Sequence, residues 1–231
     1  MRSRRFQDKP VRLAPTRHVS TIIYYGERLN SISHLLGAAL ALVGLGALLT
    51  VAVQSGDPVL LLSFSVYGVT LVLLFTMSTL YHSFHPSKLK ALFKLFDHVA
   101  IYTLIAGSYT PFMLVSLDSM NGWLILGLVW CLAIFGISSE LFLKGPVIKI
   151  VQVLTYLGMG WACSLDLAAL KAALPAAGFC WVVLGGLAYT LGVIFYIADK
   201  LNRLNHAHGI WHFFVLTGAI AHFIAVIGFV R

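Results

Sequence analysis

Two histidines stand four residues apart in His208-Gly209-Ile210-Trp211-His212, and a third, His82, follows Ser78 at the same interval. On a helix that interval puts both side chains on one face, about 6 Å apart. Two imidazoles so placed can share one metal at the ~2.0–2.1 Å of a zinc–nitrogen bond. Taken alone, the pair fits either metal ligation or hydrogen bonding to neighbouring helices. Three histidines with a carboxylate nearby suit a catalytic zinc with three protein ligands and an open position for water. His82, His208 and His212 are therefore the expected ligands and zinc the expected cofactor. Asp97 is the expected acceptor of the proton that an attacking water releases.

Other polar residues stand around this core. Glu27, Asn30 and His34 lie at i, i+3 and i+7, one stripe of a helix, with Ser33 beside His34. Glu27 is open to two readings, a solvated carboxylate paired with Arg28 at a helix start or a participant in the site. His98 adjoins Asp97 but points about 100° away around a helix, which makes it a supporting or packing residue. His85 precedes Pro86 in a basic loop and is expected in water. His222 lies about 15 Å beyond His212 along a helix, too far to share its metal, and is expected to hydrogen-bond between helices. His18 and His206 read as interfacial.

The elements that must hold these groups follow from composition. Of 231 residues, 59% are apolar or aromatic and 10% charged, against about 45–50% and 25% in a soluble domain. Aromatics at 13% exclude a disordered chain. Seven apolar runs, at about 29–53, 59–82, 97–117, 123–143, 147–170, 178–198 and 208–230, meet the length of about 20 residues that a membrane-spanning helix needs. They are too long and too uniformly apolar for barrel strands. The fold class predicted is an all-α membrane protein, a seven-helix bundle over 29–231 behind a basic segment, 1–28. Gly56-Asp57-Pro58, Asn121-Gly122, Gly145-Pro146 and Pro175 punctuate the connections. Gly107-Ser108-Tyr109-Thr110-Pro111-Phe112 predicts a proline kink with hydroxyls re-satisfying carbonyls. Glu140 is expected to snorkel at a helix end. Gly158, Gly160, Gly185 and Gly186 are expected at close helix contacts. Cys131, Cys163 and Cys180 show no CxxC spacing and read as reduced, buried small hydrophobes.

Charge orients the bundle. Sixteen Lys and Arg face eight Asp and Glu, a net +8. Fourteen of the sixteen fall in the N-terminal segment and the second, fourth and sixth connections, while Lys171 and Arg231 alone fall on the other side. The positive-inside rule then gives a cytoplasmic N-terminus and an external C-terminus. The excess charge is a topology signal and not a nucleic-acid footprint. With that orientation Glu27–His34, Ser78–His82, Asp97-His98 and His208–His212 all reach the same cytoplasmic depth. Ionisable groups at such a depth are costly and usually functional.

Glu27-x-x-Asn30-x-x-Ser33-His34, Ser78-x-x-x-His82, Asp97 and His208-x-x-x-His212 resemble the bacterial hemolysin III family, over about Gly26 to Val230. The runs Phe96–Tyr102 and Ala106–Phe112 strengthen the bacterial likeness. That family groups with the progestin and adipoQ receptors and, more distantly, with alkaline ceramidases. The resemblance implies seven helices with the N-terminus inside, zinc on His82, His208 and His212, a water bridged to Asp97, and Ser78 close by. It also implies a bacterial inner-membrane location and a role in membrane-lipid homeostasis. Residues and resemblance together predict a zinc-dependent hydrolase of a lipid amide or ester, membrane lipids being its partners. Ser78 would hold the water or the oxyanion. Two other classes stay open: a membrane-state sensor with a structural zinc, and an ion or proton conductor.

Overall fold

The computed structural model describes residues 27–85, 88–201 and 203–231; the basic segment before Glu27, with His18, lies outside the described residues. Its helices are α1 (Arg28–Ser55), α2 (Pro58–Ser83), α3 (Lys88–Pro111), α4 (Met120–Phe142), α5 (Pro146–Gly160), α6 (Leu167–Ala173), α7 (Ala176–Lys200) and α8 (Ala207–Phe229). A π turn, Phe112–Ser116, prolongs α3, and a 3-10 turn, Ala162–Asp166, joins α5 to α6. Seven helical segments are long and apolar enough to cross a membrane, α5 and α6 counting as one. No strand occurs among the described residues.

The punctuation residues act as the chemistry expects. Gly56 ends α1 in the left-handed conformation, φ 69°. One residue later the Asp57 carboxylate accepts Val59 N–H at 2.8 Å and Leu60 N–H at 3.3 Å, capping α2 over Pro58 at its first position. Ser119 caps α4 by accepting Gly122 N–H at 3.2 Å. Pro111 closes the α-helical part of α3. Ser108 and Thr110 donate to the carbonyls of Ile105 and Ala106 at 2.8 and 3.1 Å, and the backbone widens into the π turn beyond.

Two elements depart from the apolar-run reading. The third helix starts at Lys88, nine residues before Asp97. Its first turns carry Lys88, Lys90 and Lys94, good helix formers whose charges end the apolar run without ending the helix. Asp97 therefore sits inside a helix, with more than two turns preceding it. The fifth span breaks after Gly160 and resumes at Leu167, where the Asp166 carboxylate caps α6 through Ala169 N–H at 3.3 Å.

Sequential helices pack as neighbours, and α8 returns against α1, so α1, α2, α3 and α8 converge at the end that carries His82. There Ser31 Oγ and Ser83 Oγ share a 2.6 Å hydrogen bond between α1 and α2. The core is apolar, with Phe64, Tyr67, Phe75 and Tyr102 fully enclosed. The cysteines are free, but Cys131 and Cys180 lie on the outer surface rather than buried. In a bundle whose exterior meets lipid, a small apolar side chain is as comfortable outside as in.

Only Gly185 of the four expected contact glycines makes a close approach. A Cβ there would fall 2.2 Å from the His222 ring, whereas Gly158, Gly160 and Gly186 face open space. His222 Nε2 donates to Val182 O at 3.2 Å, the interhelical bond expected of it. Gly185→Ala should therefore destabilise the α7–α8 contact by ~1–3 kcal/mol. Thermal unfolding in detergent should show a lower midpoint than wild type, with Gly186→Ala unchanged or slightly more stable.

Candidate metal centre

α2 and α8 supply the three histidines. His82 sits in the last turn of α2, and His208 and His212 in the first two turns of α8. One nitrogen of each lies within 4.8 Å of the others, and His82 and His212 are buried at 2% and 0% exposure. α8 can bring its first turn against α1 because Gly209 offers no Cβ; one would meet Leu29 Cδ2 at 2.8 Å.

Each ring is held from its outer side. The Glu27 carboxylate accepts a hydrogen bond from His82 Nδ1–H in a very short contact. His212 Nδ1 donates to Asn30 O at 3.2 Å, with Ser33 Oγ at 3.4 Å and itself donating to Asn30 O at 3.0 Å. Asp199 Oδ2 lies 3.2 Å from His208 Nδ1, close enough to attract the ring but too far off the N–H line for a hydrogen bond. Fixing Nδ1 of His82 and of His212 as the protonated nitrogen turns their Nε2 lone pairs inward. His82 Nε2 and His208 Nε2 face each other at 3.3 Å, and His212 Nε2 is buried with no hydrogen-bond partner. The contact between His82 and His208 is a hydrogen bond when His208 carries its proton on Nε2, and two lone pairs that can share a cation when it carries it on Nδ1. Two ligands at ~2.0–2.1 Å from a tetrahedral metal stand about 3.3–3.4 Å apart. The residues fit a metal ion on both counts.

Glu27 belongs to this arrangement and is not simply solvated. Besides His82 it accepts Lys90 Nζ at 2.7 Å. Burial pushes its carboxyl upward, but His82 and Lys90 outweigh that and hold it at about 2, so it is ionised at neutral pH. His34 stacks on His212 with ring centroids 3.6 Å apart, both of its nitrogens buried without partners. Its edge meets Phe75.

A cavity of about 310 Å³ lies against this group, between α2, α3, α5, α7 and α8. His34, Ser78 and Asp97 line it. Ser78 is one turn before His82, and Asp97, 6% exposed, stands within Coulombic reach of His82. The rest of the wall is mostly apolar. It includes Trp161, Leu167, Val183 and Leu187, which are 41–49% exposed members of the outer surface. The cavity thus opens sideways between α5–α6 and α7, where those helices touch only sparingly.

The remaining sequence candidates are placed elsewhere. His98 turns away from Asp97 into a second polar group, with Glu140 Oε2 at 3.1 Å and Gln152 Nε2 at 2.8 Å from its Nδ1. Glu140 does not snorkel: its side chain is 7% exposed and also accepts Gln152 Nε2. His85 and His206 are exposed. Asp199 and Lys90 were legible only as charges flanking a span; their depth, matching that of His208 and Glu27, was the available signal.

The sequence profile described as haemolysin-III related matches residues 23–223. The chain is 41% identical over 201 residues to Hemolysin-3 of Bacillus cereus, covering 87% of this chain and 90% of that one. It is 40% identical over 198 residues to a Hemolysin-3 homolog of Bacillus subtilis (strain 168), covering 86% and 91%. It is also 34% identical over 170 residues to the human Monocyte to macrophage differentiation factor, covering 70% and 67%.

Two outcomes check the centre. Elemental analysis of purified protein should find bound metal in wild type and none in His208→Ala. Glu27→Gln, which keeps shape but surrenders the charge on His82, should weaken metal affinity about 10–100-fold in a chelator competition.

Proposed function

The chain belongs to the haemolysin-III related family of multi-pass membrane proteins, and within it we propose that this one is a zinc-dependent hydrolase of a lipid amide or ester. The observation that carries the reading is the convergence of three inward-facing imidazole nitrogens beside a cavity that offers a carboxylate, a hydroxyl and a sideways opening. A structural clamp between α2 and α8 would need the histidines but neither Asp97 nor the opening.

Zinc is the ion that the all-nitrogen donor set favours, over the hard cations that take oxygen. When bound at His82, His208 and His212 it supplies Lewis acidity, which polarises a carbonyl and brings the acidity of water toward neutrality. The chain's own residues do the rest. Asp97 accepts the proton that water gives up as its oxygen adds to the acyl carbon. The same carboxylic acid then returns that proton to the leaving nitrogen or oxygen as the acyl bond breaks. Ser78 Oγ–H donates to the oxygen on which negative charge develops. The apolar wall from Leu104 to Val193 takes the acyl chain and keeps bulk water away. A lipid enters through the gap between α5–α6 and α7 without leaving the bilayer.

The charge asymmetry supports a cytoplasmic N-terminus, which sets the centre at the cytoplasmic leaflet of a bacterial inner membrane. The partners are then membrane lipids.

Hydrolysis of a fluorogenic long-chain acyl ester and the matching amide by the purified protein tests the reading. Wild type should turn over at least one of them and stop when a chelator strips the metal. Asp97→Asn should lower turnover by about 10²–10⁴-fold with metal content unchanged. Turnover that survives in Asp97→Asn, or in the stripped protein, would overturn the proposal.

A further inference from the structure

A larger pocket, about 660 Å³, opens at the same end of the bundle as the histidines but on a different face of α3, among α3, α4, α5 and α7. Its floor is the His98–Glu140–Gln152 group. Three lysines from three helices line it: Lys94 of α3, Lys149 of α5 and Lys200 of α7. Lys94 stands within Coulombic reach of Lys149 and Lys200, and of Glu140 and Asp97. Among the described residues neither Lys94 nor Lys149 has a carboxylate at ion-pair distance. Lys200 has only its chain neighbour Asp199, at 3.4 Å, and the face of Tyr196, at 4.9 Å.

Three ammonium groups, against Glu140 in the floor and Asp199 beside Lys200, leave the pocket with an excess of positive charge that suits an anion. The one carboxylate of the floor, Glu140, is turned to His98 and Gln152 and forms no ion pair with the three lysines among the described residues. A further donor points the same way. α5 begins at this pocket with Gly145 and Pro146, and no side chain caps its first turn. The N–H groups of Val147 and Ile148 thus have no intrahelical or capping partner, at the positive end of a fifteen-residue helix. Basic pockets between spanning helices, at headgroup depth, suit phosphate-bearing lipids.

We propose that this pocket is a second ligand site, distinct from the metal centre, in which Lys94, Lys149, Lys200 and the first turn of α5 bind the phosphate of an acidic phospholipid head group. Neither the hydrolytic reading nor the metal enters this argument. The floor group fixes α3, α4 and α5 as one rigid rim, so the ligand meets a preformed ring of donors. The acyl chains of a bound lipid lie along the exposed faces of α4 and α5, where Leu141, Phe142 and Ile150 already face outward.

Native mass spectrometry of the full-length protein in neutral detergent, titrated with phosphatidylglycerol against phosphatidylcholine, tests the site. Wild type should retain phosphatidylglycerol preferentially. Lys94→Gln/Lys149→Gln should lower that retention about tenfold or more, and Lys149→Gln alone by an intermediate factor. Lys144→Gln, an exposed loop lysine outside the pocket, should change nothing. Inorganic phosphate added in a parallel arm identifies the source: displacement of the lipid marks the phosphate group alone as what is read, and no displacement marks the whole amphiphile. Equal retention of the two lipids by wild type, unchanged retention in the double variant, or an equal loss in Lys144→Gln would overturn the proposal.

Discussion

The arrangement depends on where two protons sit. As long as Nδ1 of His82 and of His212 gives its hydrogen to an outer acceptor, the opposite nitrogen must present a lone pair inward. Glu27 and the Asn30 carbonyl are those acceptors, and both belong to the start of α1. α1 contributes no nitrogen to the cluster, yet it determines the direction in which α2 and α8 aim theirs. The Ser31–Ser83 bond and the close pass of Gly209 over Leu29 keep its first turn in register with both partners. A bundle that packed α2 and α8 equally well but shifted α1 by one residue would lose both acceptors and with them the tautomers.

Such a group is expensive inside a membrane, and its surroundings offset the cost. Burying one partner of an ion pair while removing the other costs about 3–5 kcal/mol, so Glu27, His82 and Lys90 stand or fall together. Their placement at the end of the bundle leaves Glu27 23% exposed, whereas the ring it holds is almost wholly enclosed. The carboxylate thus retains some hydration while His82 faces the dry interior. Asp97 and Ser78, one helix over, border the cavity rather than the outer acceptors. Groups that position and groups that face a ligand are thereby divided between the two sides of the imidazole rings.

Much of this was legible in the chain. Helical intervals placed His208 with His212 and Ser78 with His82, and the count of basic residues put Asp97 at their depth. Gly56-Asp57-Pro58 specified both a stop and a start, because each residue has one local conformational role there. What could not be read was azimuth. His98, Glu140 and Gln152 belong to three helices, and only the rotation of each about its own axis brings them together; hydropathy along the chain carries no information on that angle. The same gap hid Asp199, whose side chain reaches back to His208 from a different helix. The early start of α3 was missed for another reason. Its first turns are helical by propensity but not apolar, and a search for apolar runs sees only the second property.

The adjacent pair Asp97-His98 shows what that angle accomplishes. One residue step rotates about 100° around α3, enough to send Asp97 to the cavity beside the histidines and His98 to the lysine-lined pocket. α3 is therefore the partition between the cavity beside the histidines and the lysine-lined pocket. Its lower turns are held from both sides, by the His98–Glu140–Gln152 group toward α4 and α5 and by packing against α2. A partition tied on one face by hydrogen bonds and on the other by packing cannot rotate to exchange its two faces. The bonds on the His98 side therefore fix the angle at which Asp97 enters the cavity, although none of those residues lies near the histidine cluster.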